Sequence, residues 1–295
     1  MQLRHVRYFV ATADAGSVSA AAARVHVTQP ALSRQLRQLE QDLGVTLFDR
    51  SAGRLALNRT GRALLPAARD LLASADALQR RAGYHAGGGL ERVTIAAPTV
   101  TLTDIVSPFV ATMSADDPVV DVLQGDGRTT AELLHAGADL AIGTQRPPAP
   151  LVARSLAVLP VWAYVPPGDP WAGRDRVTFA ELLERPLVVV PPAFTAREAL
   201  DTAVAARGAS YAGLVEAANG TIAQALAASG RGVAVVSDDP RFDLHPVAVD
   251  LDDEVLSVRL VAAWDPRGVA AAPLERLARR LGTWVAERYG PASPR

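Results

Sequence analysis

Close to the N-terminus, apolar residues recur at helical spacing in three successive bursts. Leu3, Val6, Phe9, Val10 and Ala13 lie three and four apart, so they mark one face of a helix, which Gly16 stops. Ser17 or Ser19 caps a short Ala-rich helix over Ala20 to Val25. After His26 and Val27, Thr28 is an N-cap and Pro30 falls in the first turn of a third helix, where a missing N–H costs nothing. Leu32, Leu36, Leu39 and Leu43 mark its buried face and Gly44 ends it. Arg50 to Leu57 reads as a Gly-containing turn between two β-capable pieces. Thr60 then opens a long helix to Tyr84, in which Leu64, Leu65, Leu71, Leu72 and Leu78 repeat at intervals of seven. That repeat suits a helix paired with another. Gly87-Gly88-Gly89 follows as a flexible linker and the clearest domain boundary.

Beyond Leu90 short apolar runs alternate with amphipathic stretches, which predicts α/β units on a largely parallel sheet. The predicted strands are Arg92–Ala96, Val119–Leu123, Asp139–Ile142, Val158–Val165, Leu187–Val190, Gly232–Val236 and Val255–Trp264. Helices are expected to start near Thr101, Thr130, Phe179, Ala196 and Thr221.

Composition narrows the class. The chain has 295 residues, 49% of them hydrophobic, yet no apolar run approaches the roughly 18 to 20 residues of a membrane span. The N-terminus has no continuous apolar segment of the signal-peptide kind, so a cytoplasmic protein is expected. With no cysteine, disulfides, thiol catalysis and thiolate metal sites are excluded. All 30 basic residues are arginine. The net charge of −1 hides an asymmetry: residues 1–81 hold 12 Arg against 6 acids, and the remainder 18 Arg against 25. A segment of net charge +6 ahead of a remainder of −7 points to a polyanionic partner for the first part alone.

Ser19 to Leu43 has the layout of a helix-turn-helix, whose second helix lies in the major groove. Opposite Leu32, Leu36 and Leu39 that helix presents Gln29, Ser33, Arg34 and Arg37. Gln pairs bidentately with adenine, and Arg with guanine or phosphate. By spacing alone, a small helical bundle with a solvated basic face remains open. The run SVSAAAARVHVTQPALSRQLRQLEQDLGVTLFDR resembles the N-terminal signature of the LysR-type transcriptional regulators almost position for position. By matched position, Thr28, Gln29, Pro30, Ser33 and Arg34 resemble that family's DNA-facing residues, Arg37 a phosphate contact, and Arg50 and Arg54 its wing. The family usually reads Leu-Thr-x-Ala-Gly after the wing; this chain departs from it at Asn58 and Thr60.

The resemblance extends, more weakly, along the chain. Ala138 to Gly143 resembles the family's D-L-A-I-G strand, and Ala227 to Ser237 its V-A-x-G-x-G-V-A-L-L-P segment. It implies an α/β protein with an all-α winged helix-turn-helix over residues 1–58. A linker and dimerisation helix with a Gly-rich hinge follows over 59–89, then an effector-binding domain over 90–295. That domain is expected to have two α/β lobes, like a type 2 periplasmic binding protein. The first lobe takes 90–162 plus 265–295 and the second 163–264, with Val158–Val165 and Val255–Trp264 as crossing strands. The implied partners are promoter DNA, a small-molecule effector, a second copy of the chain paired into dimers and tetramers, and RNA polymerase. No cofactor is implied. Effector contacts are expected from Thr99, Val100 and Thr101, from Phe194 and Thr195, and from Asn219 and Thr221. Hydroxyls at strand ends and helix N-termini favour an anion there. Arg128, Arg146 and Arg197 are read mainly as solvated surface.

Rival readings are an enzyme or carrier using the cleft, and a regulator with no effector. Against catalysis, the sequence has no G-x-S-x-G elbow, H-E-x-x-H or P-loop. The histidines His5, His26, His85, His135 and His245 lack metal-ligand spacing.

Overall fold

Three helices and a two-stranded wing build the first of two units in a computed structural model, which describes residues 1–51, 54–87, 90–252 and 254–290. The first unit comprises Met1–Gly83 with His135–Gly137, the second Tyr84–Leu134 with Ala138–Arg295. In the first, α1 (Leu3–Ala15) ends where Gly16 turns left-handed at φ 67°. Ser17, rather than Ser19, caps α2 (Val18–Arg24) by accepting from Ala20 N. Then α3 (Gln29–Leu43) starts at the Thr28 cap and ends at left-handed Gly44. His26, at φ 54°, makes the turn between α2 and α3. The apolar face foreseen for α3 is inside: Leu32, Leu36 and Leu39 are buried with Val6, Phe9, Ala21 and Leu47. Leu43 is exposed, one turn past that core.

The antiparallel wing joins β1 (Phe48–Ser51) to β2 (Arg54–Leu57), and Phe48 meets Phe9 edge-on at 5.7 Å. The long α4 (Arg59–Gly87) begins at Asn58, whose Oδ1 accepts from Gly61 N at 2.8 Å while its Nδ2 donates to Thr46 O. Gly61 is required here, because a Cβ would lie 2.1 Å from Leu47 O. Asn58 thus caps α4, a role that Thr, the residue expected there from the resemblance, also fills by its chemistry. Gly88 and Gly89 of the expected hinge lie outside the described residues.

The second unit holds two sheets. The first has the order β4-β3-β5-β14-β6, built from β3 (Arg92–Ala97), β4 (Val119–Gln124), β5 (Leu140–Gly143), β6 (Val152–Pro160) and β14 (Ser257–Trp264). The second has the order β10-β9-β11-β7-β12-β13 with β8 beside β12. It uses β7 (Trp162–Val165), β8 (Arg176–Thr178), β9 (Pro186–Val189), β10 (Gly213–Glu216), β11 (Val233–Val236), β12 (His245–Leu251) and β13 (Glu254–Val255). Strands β5 and β11 are buried at every position, as continuous apolar runs must be in a sheet covered on both faces. Over the first sheet lie α5 (Thr99–Thr101), a π-helical turn (Leu102–Val106), α6 (Ser107–Val110), α7 (Thr130–His135) and α11 (Ala271–Tyr289). With the second go α8 (Phe179–Leu183), α9 (Thr195–Ala206) and α10 (Gly220–Ala228).

The two lobes differ from expectation in one connected way. Val158–Val165 is two strands, β6 in one sheet and β7 in the other, broken at buried Val161. The returning chain breaks at buried Leu256, and Val161 N donates to Leu256 O at 2.8 Å. Residues 257–264, assigned to the second lobe from sequence, therefore pair with β5 and β6 of the first. Both sheets are mixed rather than largely parallel, because each crossing reverses strand direction. Strands β8, β10 and β12 and the helix α11 were not foreseen.

Candidate nucleic-acid interface and ligand cleft

Burying Leu32, Leu36 and Leu39 fixes the rotation of α3, so the opposite face must meet solvent. Gln29, Pro30, Arg34 and Arg37 are exposed there, and Ser33 is half-buried. Thr28 is spent on the cap, its Oγ1 accepting from Ala31 N at 3.4 Å. Among the described residues neither Arg34 nor Arg37 forms an ion pair. Elsewhere in this unit, by contrast, Arg7 pairs with Asp76 and Arg69 with Asp14. Two guanidiniums on an uncompensated face are available to phosphate and base edges. The side chains of Arg50 and Arg54 lie outside the described residues.

In the second unit two adjoining cavities share Pro98, Val100, Gly143, Thr144 and Thr195. The inner, of about 210 Å³, has apolar walls from Ile105, Leu159, Trp162 and Val258, with Thr101, Asp104, Asp239 and Tyr289. The outer, of about 240 Å³, is more polar, with Asp126, Arg128, Thr129, Thr130, Gln145 and Phe194. Phe194 precedes α9 without capping it, so the first N–H groups of that helix remain donors at the cavity edge.

Val100, Thr101, Phe194 and Thr195 thus stand where the sequence placed a cleft. Three other candidates do not. Thr99 lines neither cavity; its hydroxyl donates to Asp126 Oδ2 while accepting from Gln124 Nε2. Asn219 is occupied as the cap of α10, accepting from Ile222 N at 3.0 Å, and Thr221 is exposed on that helix away from both cavities. Arg197 is held in its own lobe by Asp201 at 2.8 Å, and Arg146 is exposed outside both cavities. Arg128, read as solvated surface, lines the outer one.

Sequence reasoning missed the acidic side of the inner cavity. Asp104, on the π-helical turn, accepts from Arg241 Nη2 at 2.6 Å and from Asp239 N at 2.9 Å. Asp239 accepts from Arg288 Nη2 at 2.7 Å, and Tyr289 Oη lies 3.0 Å from both Asp239 Oδ1 and Asp104 O. Burial pushes the Tyr289 phenol up to about 12, so it stays a neutral donor. The visible signal was an aspartate flanked by Leu102, Ile105 and Val106, since an acid among buried apolar residues needs a partner.

Known proteins resemble this chain over most of its length. A family model described as a bacterial regulatory helix-turn-helix protein of the lysR family matches residues 3–62, and a LysR substrate binding domain model matches 86–286. The HTH-type transcriptional regulator TfdT of Cupriavidus pinatubonensis is 33% identical over 196 residues, 65% of this chain and 86% of that protein. The regulator CysB of Burkholderia cenocepacia is 30% identical over 231 residues, 75% of this chain and 73% of its own. Among solved structures, CbnR, a LysR family transcriptional regulator, superposes with TM-score 0.68 at 22% identity, covering 96% of this chain and 99% of that one.

Proposed function

This chain belongs to the LysR family of DNA-binding transcriptional regulators, not enzymes, and from that premise we propose which of its residues read DNA and which read a ligand. Gln29, Ser33, Arg34 and Arg37 meet the major groove of promoter DNA, with Thr28 and Pro30 shaping the helix start. The observation that carries this is the pair of guanidiniums on α3, opposite its buried leucines, that form no ion pair among the described residues. CbnR has been solved with its target DNA, a complex whose protein covers 95% of this chain at TM-score 0.65. Arg50 and Arg54 are assigned to the wing by position alone.

The effector enters between the lobes, its apolar body in the inner cavity and its acceptor end in the outer one. There Thr144, Thr195, the Arg128 guanidinium and the α9 N-terminus face the cavity. A carboxylate is assigned to the outer end for the Arg128 guanidinium and the α9 N–H groups there, although Asp126 and Glu198 also line that wall; Asp126 is already bonded to Thr99 and Gln124. Two copies pair through α4, whose Leu64, Leu71 and Leu78 form an exposed stripe, and dimers pair into tetramers. Such a regulator works in the cytoplasm, where ligand-driven change in the DNA-bound oligomer alters access of RNA polymerase. A ligand shifts that balance only by its differential affinity for the two arrangements.

Titrating the protein with a panel of small carboxylic acids while following tryptophan emission tests the cleft, because Trp162 lines the inner cavity. A saturable change that Thr195→Val weakens about tenfold, near 1.4 kcal/mol, is expected for loss of one hydrogen bond to a charged group. A response untouched by Thr195→Val and by filling the inner cavity with Val100→Trp would place the ligand elsewhere.

A further inference from the structure

The lobes are joined by two crossing strands at Val161 and Leu256, and they meet again through a cluster of polar groups. There Asp104 and Tyr289 of the first lobe meet Asp239 and Arg241 of the second. Three carboxylates, Asp104, Asp238 and Asp239, share two guanidiniums, Arg241 and Arg288, which leaves one negative charge in excess. Asp238 is the least compensated of the three. Its side chain is 12% exposed, and Arg241 stands 3.9 Å away, beyond hydrogen-bond distance.

We propose that this junction is a proton-sensitive clasp between the lobes, with Asp238 as the group that takes up the proton when the lobes close. It rests on the reading that the lobes are the movable parts of a ligand-responsive regulator.

The charged and titratable groups around Asp238 can be named element by element. From the π-helical turn comes Asp104, and from its own loop Asp239 and Arg241. From β7 comes Tyr164, whose hydroxyl donates to Asp238 O at 2.6 Å; from α11 come Arg288 and Tyr289, which hold Asp239. The helix α10 adds no charge. Its Gly220 abuts the Asp238 carboxylate so closely that a Cβ would lie 2.1 Å from Oδ2, and its Gln224 bonds Asp239 O and Arg241 N.

Closing the lobes therefore brings the Asp104 carboxylate toward a carboxylate already packed against a helix start. Burial first, and then the Asp104 charge, lifts the Asp238 carboxyl to about 6, against an ordinary 3.8. Opening the lobes removes Asp104 and admits water, which returns the group toward its ordinary range. The closed form then binds the proton more tightly, so falling pH favours closure and rising pH favours opening. A ligand in the inner cavity touches the same parts, because Asp104, Asp239 and Tyr289 line it.

The chain has no cysteine, so two introduced ones label cleanly. Ala205→Cys on α9 and Glu275→Cys on α11 are exposed positions on different lobes. Spin labels there, in full-length protein diluted with unlabelled chain and free of DNA and ligand, report the lobe separation by double electron–electron resonance. The ratio of the closed-distance to the open-distance population is expected to rise about tenfold from pH 7 to pH 5. Asp238→Asn, neutral and of equal size, should hold the closed distance at both values. Distances that ignore pH in the wild type, or a pH response that persists in Asp238→Asn, overturn the clasp. Should Asp238→Asn not fold, carboxyl carbon NMR of Asp238 in the wild type decides instead, and a midpoint near 4 overturns it. Neither readout involves DNA or effector, so a protein that fails here yet still binds both loses the clasp and keeps its proposed function.

Discussion

Two residues in the N-terminal unit show how far a side chain can be judged before its surroundings are seen. Arg34 could be placed on the solvent face from spacing alone, since Leu32 and Leu36 bury the opposite face and leave it outside. Asn58 looked like a departure from the family pattern, yet it caps α4 and ties Thr46 to the helix start. Asn58→Ala is expected to lower unfolding free energy by about 1 to 2 kcal/mol in urea denaturation, while Asn58→Thr loses much less. Thr99, Asn219 and Thr221 went the other way. Hydroxyl and amide residues near helix starts are ligand groups or caps by the same chemistry, and here Asn219 is a cap and Thr99 is bonded to Asp126. The pattern of a sequence does not distinguish these, because the choice depends on a carboxylate 27 residues away in the chain.

At the scale of elements, periodicity resolved α1 to α4 well because each buries a single stripe at a fixed period. The seven-residue leucine repeat of α4 proves to be two stripes. Leu65 and Leu72 pack on the core of the first unit, while Leu64, Leu71 and Leu78 are exposed. Leu71→Glu should therefore dissociate the oligomer in sedimentation velocity runs without lowering helical content. Leu39→Ala, in the core under α3, should instead cost about 2 to 5 kcal/mol of stability. An unchanged sedimentation coefficient for Leu71→Glu would remove the exposed stripe from the dimer contact. The crossing strands were legible as apolar runs but not as crossings. Val161 and Leu256 are apolar residues among apolar neighbours, and only the sheet each flank joins reveals the break. The helix α11 went unseen, although Leu274, Leu277, Leu281 and Val285 follow the helical period.

For the whole molecule, the charge asymmetry read from composition agrees with a DNA-binding front and a ligand-binding remainder. The acidic remainder has its own pH behaviour. Because folding raises the Asp238 carboxyl to about 6, its stabilising proton is fully present below the ordinary 3.8 and lost as pH rises through about 6. Asp238→Asn should thus raise the melting temperature at pH 7 and leave it nearly unchanged at pH 4, as scanning calorimetry would record. The proposal that α3 reads a promoter through Arg34 is checked by fluorescence anisotropy of the protein on the intergenic duplex beside its own gene, over a salt series and against an unrelated duplex. Salt-sensitive binding that prefers the intergenic duplex is expected, with Arg34→Ala weaker by about 1 to 3 kcal/mol and less selective. Equal affinity for both duplexes, unmoved by Arg34→Ala, would mean that α3 does not read sequence through this residue.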